Sequence, residues 1–239
     1  MIYITGDVHG DQELWQIGIA PIMNPRDIII VAGDFGVGFF DGRYWPEEMF
    51  YDYLEKQQFT VLFIDGNHEN FDKLNNYPVI KWNGGCVHRI RSNILHLIRG
   101  EIYEIEGKRL LAFGGGYSID KAYRVPGQSW WSEEMPDSSD YDNAIRNLKR
   151  YNYQVEYIVT HTCPQETLDY MIGLGGGGIK DVVEEIPLTG FLQYIQSLTT
   201  YKGWYFGHFH LDRDLWRNQY AVFHGIREME SGKVIRYRV

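Results

Sequence analysis

Eight histidines punctuate the 239 residues; four of them stand in short clusters of Gly, Asp, His and Asn and a fifth stands alone, each following a run of β-branched or aromatic residues. Gly6-Asp7-Val8-His9-Gly10 follows Ile2–Thr5, Gly33-Asp34 follows Asp27–Ala32, and Gly66-Asn67-His68-Glu69 follows Thr60–Ile64. His161 comes after Val155–Thr160, and Gly207-His208-Phe209-His210 after Trp204–Phe206. Strand ends of an open α/β sheet converge on one crevice, so residues far apart in the chain can meet there. Asp7, His9, Asp34, Asn67, His161, His208 and His210 then offer two carboxylates, one amide and four imidazoles. That mixed set suits Mn, Fe, Zn, Ni or Co better than Ca or Mg, which prefer oxygen, or thiolate-bound zinc. Seven donors exceed the needs of one ion, and two ions about 3.5–4 Å apart are the economical arrangement, with Asp34 the candidate bridge. Two divalent cations set against two carboxylates and one hydroxide leave roughly +1, which favours a phosphate substrate.

Elements that must hold these residues are legible as alternation. Strands are expected at Ile2–Thr5, Asp27–Ala32, Thr60–Ile64, Ile102–Glu106, Arg109–Phe113, Val155–Thr160, Trp204–Phe206, Tyr220–His224 and Val234–Arg238, with a hairpin turn at Glu106-Gly107-Lys108. Amphipathic stretches predict helices over Gln12–Ile19, Pro46–Gln57, Asp140–Tyr151 and Asp181–Ser197. Mixed runs of this kind predict a layered α/β fold in one domain spanning 1–239. Two segments read as extended loops: 115–140, an insertion on the substrate side, and the glycine-rich 173–178.

Composition narrows the function. With 23 Lys and Arg against 32 Asp and Glu the net charge is −9, so broad nucleic-acid binding is not expected. No apolar run is long enough to span a bilayer. The opening Met1-Ile-Tyr-Ile-Thr enters a strand with no basic or long apolar segment ahead of it, and two isolated cysteines, Cys86 and Cys163, suggest a reducing compartment. A cytoplasmic protein is therefore expected, its oligomeric state unspecified.

The ordered clusters D-x-H, G-D, G-N-H-E, a lone His and G-H-x-H resemble the calcineurin-like metallophosphoesterase superfamily over Asp7 to His210. The resemblance implies a four-layer α/β/β/α sandwich and a phosphoesterase in which a metal-bridging hydroxide attacks phosphorus. It implies one metal on Asp7, His9 and His210, a second on Asn67, His161 and His208, and Asp34 shared; manganese is the leading candidate. His68 would be the catalytic residue, protonating the leaving oxygen or stabilising charge, a role suited to a side chain that titrates near neutrality. Glu69 and Asp11 would support the site.

One feature departs from the protein phosphatase branch of that family. Its second motif continues Asp-Arg-Gly, whereas Gly33-Asp34-Phe35-Gly36-Val37-Gly38 carries no arginine. A phosphate-binding cation must come from elsewhere, with Arg43, Arg89 and Arg124 the candidates and His88 a further substrate contact. The missing arginine and the 15% aromatic content favour a phosphodiester or nucleotide-type substrate. Alternatives are a phosphomonoesterase, including protein phosphatase-like activity, and a non-enzymatic metal-binding scaffold for protein contacts. Trp130 and Trp131 could stack on a base or pin their loop, and Cys163 reads as a small core residue.

Overall fold

The computed structural model describes residues 1–39, 46–175, 179 and 182–237. Its strands are β1 (Ile2–Thr5), β2 (Ile28–Val31), β3 (Thr60–Phe63), β4 (Val79–Trp82), β5 (Gly85–Arg89), β6 (Ile94–Leu97) and β7 (Ile102–Ile105). They continue with β8 (Lys108–Phe113), β9 (Tyr157–Thr160), β10 (Gly203–Phe206), β11 (Arg213–Leu215), β12 (Gln219–Ala221), β13 (Gly225–Glu228) and β14 (Val234–Tyr237). The helices are α1 (Glu47–Glu55), α2 (Phe71–Leu74), α3 (Ser138–Arg150), α4 (Gln165–Gly173) and α5 (Ile186–Leu198). An eight-stranded sheet runs β14-β13-β1-β2-β3-β6-β5-β4, and a six-stranded sheet runs β11-β12-β10-β9-β8-β7.

The central strands β1, β2, β3, β9 and β10 are apolar apart from Thr5, Thr60 and Thr160 at their ends, because both of their faces are covered. Alternation sorts their side chains. Ile2, Ile4, Ile30 and Leu62 meet Leu110, Ala112, Val159 and Tyr205 of the other sheet in one core. Tyr3, Ile29, Val31, Val61 and Phe63 point the opposite way, onto Trp15, Phe50 and Leu54. On the far side, Leu111, Phe113, Ile158 and Phe206 pack against Leu148, Met171, Leu192 and Ile195. Helices thus cover the outer faces of two apposed sheets, as a mixed α/β chain requires.

Register explains where chemistry collects. In the first sheet the parallel strands end on one row, Thr5 beside Val31 and Val31 beside Phe63. In the second, Phe113, Thr160 and Phe206 form an equivalent row. Every cluster of the sequence reading begins within three residues of one of these row ends.

Several elements differ from expectation. The 12–19 stretch is wound mostly as a π-helix over Leu14–Ile19 and closes in a 3-10 turn containing Pro21. Strands β4, β5 and β6 form an antiparallel edge that the sequence reading missed, although Asn83-Gly84, with both residues at positive φ, is a two-residue hairpin turn. The expected strand over 220–224 is interrupted because the Asp212 carboxylate accepts the backbone N–H groups of Phe223, His224 and Gly225; pairing resumes in β13. Helix α4 was missed, and α5 begins at Ile186, five residues later than expected. The capping box of Asp137 and Asp140 starts α3 close to its expected boundary. The 115–140 segment is not featureless: it contains 3-10 turns at Lys121–Tyr123 and Ser132–Glu134.

Candidate metal centre

Three groups of side chains bring ligand atoms within 4.8 Å of one another: Asp7, His9 and His210; His9, Asp34 and His68; and Asp7, Asp34 and His161. Asp7, Asp34 and His161 are buried, with at most 2% exposure. Three of the participants, His9, Asp34 and His210, and with them His208, hold positive φ between 46° and 67°, a conformation non-glycine residues adopt at a cost of about 1–3 kcal/mol each. The tight strand-end turns over-determine them. Val8 and His9 donate their N–H groups to the Asp34 carbonyl, at 3.1 and 2.8 Å, tying the first two clusters together.

Close approach is bought by missing side chains. A Cβ on Gly33 would overlap the His161 ring, one on Gly66 would overlap the Asp34 carboxylate, and one on Gly207 would overlap that of Asp7. These glycines leave the cradle open to the donors.

Tautomers follow from the partners. His161 Nδ1–H donates to the Ala32 carbonyl at 2.9 Å, leaving Nε2 to face Asn67 Oδ1 at 3.1 Å and His208 Nδ1 at 3.2 Å. Asn67 Oδ1 and His208 Nδ1 are likewise 3.1 Å apart. Two bonds of about 2.1 Å at right angles put their donors about 3.0 Å apart, so this triangle fits one transition-metal ion. A second group forms where His210 Nε2 lies 3.0 Å from His9 Nε2 and 3.1 Å from Asp7 Oδ2. The Asp34 carboxylate stands between them, 3.5 Å from His161 Nε2 and 3.8 Å from His9 Nδ1.

Electrostatics ask for cations here. Burial pushes the Asp34 carboxyl up, but the charge of His161 and hydrogen bonds from His161 and His68 hold it well below the usual carboxylate range. Burial pushes His161 down, yet Asp34 and Asp7 raise it to about 10. A buried carboxylate pair stays ionised only beside positive charge. The residues present therefore fit divalent ions by donor type, spacing and charge.

The centre opens into a cavity of about 440 Å³. Asp34, Asn67, His68, His208 and His210 line its inner end. Tyr117, Ile119, Ile179, Val182 and Phe209 give it apolar walls, and Asp120, Arg124 and Glu185 add charge. His68 Nδ1–H donates to Asp34 Oδ2 at 3.0 Å, while Arg124 Nη2 donates to His68 Nε2. Arg124 also pairs with Asp120 at 2.7 Å.

Of the expected substrate contacts, Arg124 reaches the cavity. His88 and Arg89 do not, because both sit on β5 instead of on a loop. His88 turns inward to His96 Nδ1 at 2.9 Å, and His96 contacts Asp65, which Arg99 grips. Arg43 lies outside the described residues, as do Gly176–Gly178 of the glycine-rich run. Trp131 is 4% exposed, bonds Asp72 through its indole N–H and packs edge-on against Phe39, so it pins its loop. Lys121 lies over the Trp130 ring, 4.1 Å from its centre. Cys163 is buried, and burial pushes its thiol far above the ordinary range, which fits a core residue. Glu69 accepts the N–H groups of Phe35, Gly36 and Val37, fixing the turn that carries Asp34.

Three residues escaped the sequence reading. Glu185 is 3% exposed, accepts the Tyr117 N–H at 3.3 Å and stands 3.4 Å from His208 Nε2. Ser118 accepts from Asn67 Nδ2 at 3.1 Å. Glu134 is buried beside Ser118. Gly114-Gly115-Gly116 directly after β8 was the available signal for Ser118, since a glycine run at a strand end has the same form as the other clusters.

A cavity ringed by buried carboxylates and imidazoles, open at the strand ends of two sheets, belongs to a metal-dependent phosphoric ester hydrolase. The chain is a member of the calcineurin-like phosphoesterase family, whose model matches residues 1–212. That family implies divalent metal ions and a phosphorylated substrate. No curated protein matches the chain. No described helix is long and apolar enough to cross a membrane.

Proposed function

We propose that the protein is a dinuclear phosphoesterase, with Asp7, His9 and His210 holding one ion, Asn67, His161 and His208 the other, and Asp34 both. The observation that carries this reading is the pair of donor groups on either side of the Asp34 carboxylate. Manganese suits the mixed oxygen and imidazole donors. When bound, such ions supply Lewis acidity toward phosphoryl oxygens and bring the pKa of a water near neutrality.

His68 is the catalytic acid. Its Nδ1 proton is committed to Asp34, so Nε2, the atom facing the cavity, is the one that carries a proton to the leaving oxygen. Arg124 covers that nitrogen. A phosphate oxygen is a stronger partner for a guanidinium than a neutral imidazole, so substrate draws Arg124 onto itself and uncovers Nε2, which takes up a proton from solvent and then passes it to the leaving oxygen. Arg124 thereby replaces the arginine absent after Asp34. The fold is read as one domain over 1–239 in four layers, in the cytoplasm.

The substrate is a phosphodiester or nucleotide-type ester. The apolar wall of Tyr117, Ile119 and Phe209 supports an aromatic or apolar group beyond the phosphate, and the lining carboxylates Asp120 and Glu185 disfavour a highly charged one. A panel of bis-aryl phosphate, aryl phosphate, cyclic nucleotides, dinucleoside polyphosphates and short oligonucleotides, with several divalent ions, tests it. Chelation is expected to abolish hydrolysis and manganese to restore it. A monoester preferred more than about ten-fold in kcat/KM would reverse the substrate assignment.

A further inference from the structure

We propose that Ser118 and Glu134 are positioning residues that aim the Asn67 carboxamide oxygen at His161 and His208, which is what lets Asn67 ligate an ion; this rests on the metal-centre reading above. A carboxamide presents two similar ends, and only the oxygen can bind a cation. Whatever fixes the amide thus decides whether the site is complete.

Asn67 Nδ2 has two polar neighbours, His68 Nδ1 at 3.0 Å and Ser118 Oγ at 3.1 Å. The histidine is no acceptor. Arg124 has only protons to give and directs one at His68 Nε2, so the imidazole proton is on Nδ1 and goes to Asp34. Among the described residues this leaves the Ser118 hydroxyl to receive the Asn67 N–H.

A hydroxyl alone would not choose, because it can rotate and donate to a flipped amide instead. Glu134 removes that choice: it is buried beside Ser118 and its Oε2 has no hydrogen-bond partner of its own among the described residues, so a Ser118 proton turned to that carboxyl leaves the oxygen lone pairs to Asn67. The chain of donors is directional, from Asn67 to Ser118 to Glu134. Both supports are dry, Ser118 at 1% and Glu134 at 2% exposure, so water does not compete.

Glu134 is itself held. Gly116 N–H donates to its carbonyl at 3.1 Å, Trp131 N–H reaches Oε1 at 3.5 Å, and Arg99 donates to the carbonyls of Glu133 and Glu134. Arg99 is anchored in turn on Asp65, at the end of β3 that carries Asn67. One end of the brace and the residue it aims are therefore fastened to the same strand end. Burial pushes the Glu134 carboxyl up to about 7, and its carbonyl oxygen accepts a proton donor in either state.

The test is calorimetric titration of the metal-stripped full chain with manganese alone. Ser118→Ala is expected to weaken one of two binding steps by about 10–100-fold and spare the other, the range for loss of an outer hydrogen-bond partner. Glu134→Gln keeps an acceptor of the same shape and is expected to retain both steps, while Glu134→Leu is expected to repeat the Ser118→Ala loss. If Ser118→Ala fails to fold, the Gln and Leu pair carries the test. Two unchanged steps in both Ser118→Ala and Glu134→Leu would overturn the brace and leave the metal centre standing. Equal weakening of both steps would show a general structural role and also overturn it. Wild-type protein that takes up no manganese would overturn the metal-centre reading and the brace with it.

Discussion

The site has two kinds of wall, and they are built differently. The strand-end turns at Asp7–Gly10, Gly33–Phe35 and Gly66–Glu69 are short, buried and cross-tied, with Glu69 closing the second by three backbone N–H groups. The 115–134 segment is longer, held by side chains from several places, and brings Arg124 to the cavity and Ser118 and Glu134 behind Asn67. Metal ligands need fixed angles over a few tenths of an ångström, which tight turns supply. Substrate contacts tolerate and use movement, which longer segments permit. Substitutions on the first wall should abolish ion binding, and those on the second should tune an intact centre.

The largest effect is expected from Asp34→Ala. Asp34 lies between both donor groups, so its loss should remove both ions and lower turnover by more than about 100-fold, beyond the range for outer contacts. Metal content after dialysis against manganese checks it; retention of two ions would remove Asp34 from its shared role. Next comes His68→Ala, expected to cost about 10²–10⁴ in kcat for esters with poor leaving groups and far less for activated aryl esters. A uniform loss across leaving groups would reassign His68 to charge stabilisation. Arg124→Ala should keep both ions and lose about 10–100-fold in kcat/KM, the equivalent of roughly 1.5–3 kcal/mol for a charged hydrogen bond. If Arg124→Ala lost metal, the division between the walls would fail.

The same division explains what the sequence disclosed. The candidate ligands stood out because a cation would demand particular atoms, and parallel strands deliver them at fixed offsets from apolar runs. Asp7, His9, Asp34, Asn67, His161, His208 and His210 fall together in space as a result. Supporting residues carry no such syntax. Glu185 sits in a 3-10 turn before α5, and its nearness to His208 depends on how two sheets pack. Glu134 and Arg99 meet through backbone carbonyls, which no side-chain pattern encodes. His88 and Arg89 were proposed as substrate contacts with no element to carry them, when Asn83-Gly84 turns a hairpin and places their segment in a strand between β4 and β6.

The smallest effect, and the sharpest probe of the second wall, is the pH dependence of stability at Glu134. Its carboxyl is raised from 4.5 to about 7, chiefly by burial and in part offset by Ser118, Trp131, Arg124 and His68. A carboxyl with a raised folded-state pKa keeps its proton in the native chain where the unfolded chain has released it. Its contribution therefore turns against folding as pH climbs from about 4.5 to 7, and stays unfavourable above that. Below pH 4.5 both states are protonated and the difference vanishes. Glu134→Gln has no proton to lose, so its advantage over the wild type should be absent near pH 4.5 and grow to a plateau by pH 8. That plateau is expected on the order of 1 kcal/mol, roughly 2–4 °C in Tm for a chain of this size. Melting of the metal-free proteins at pH 5 and pH 8 measures it directly. A difference that does not change with pH would mean that Glu134 is hydrated or fully paired. The 115–134 wall would then be looser than its hydrogen bonds imply, and the contrast between the two walls would lie in mobility alone.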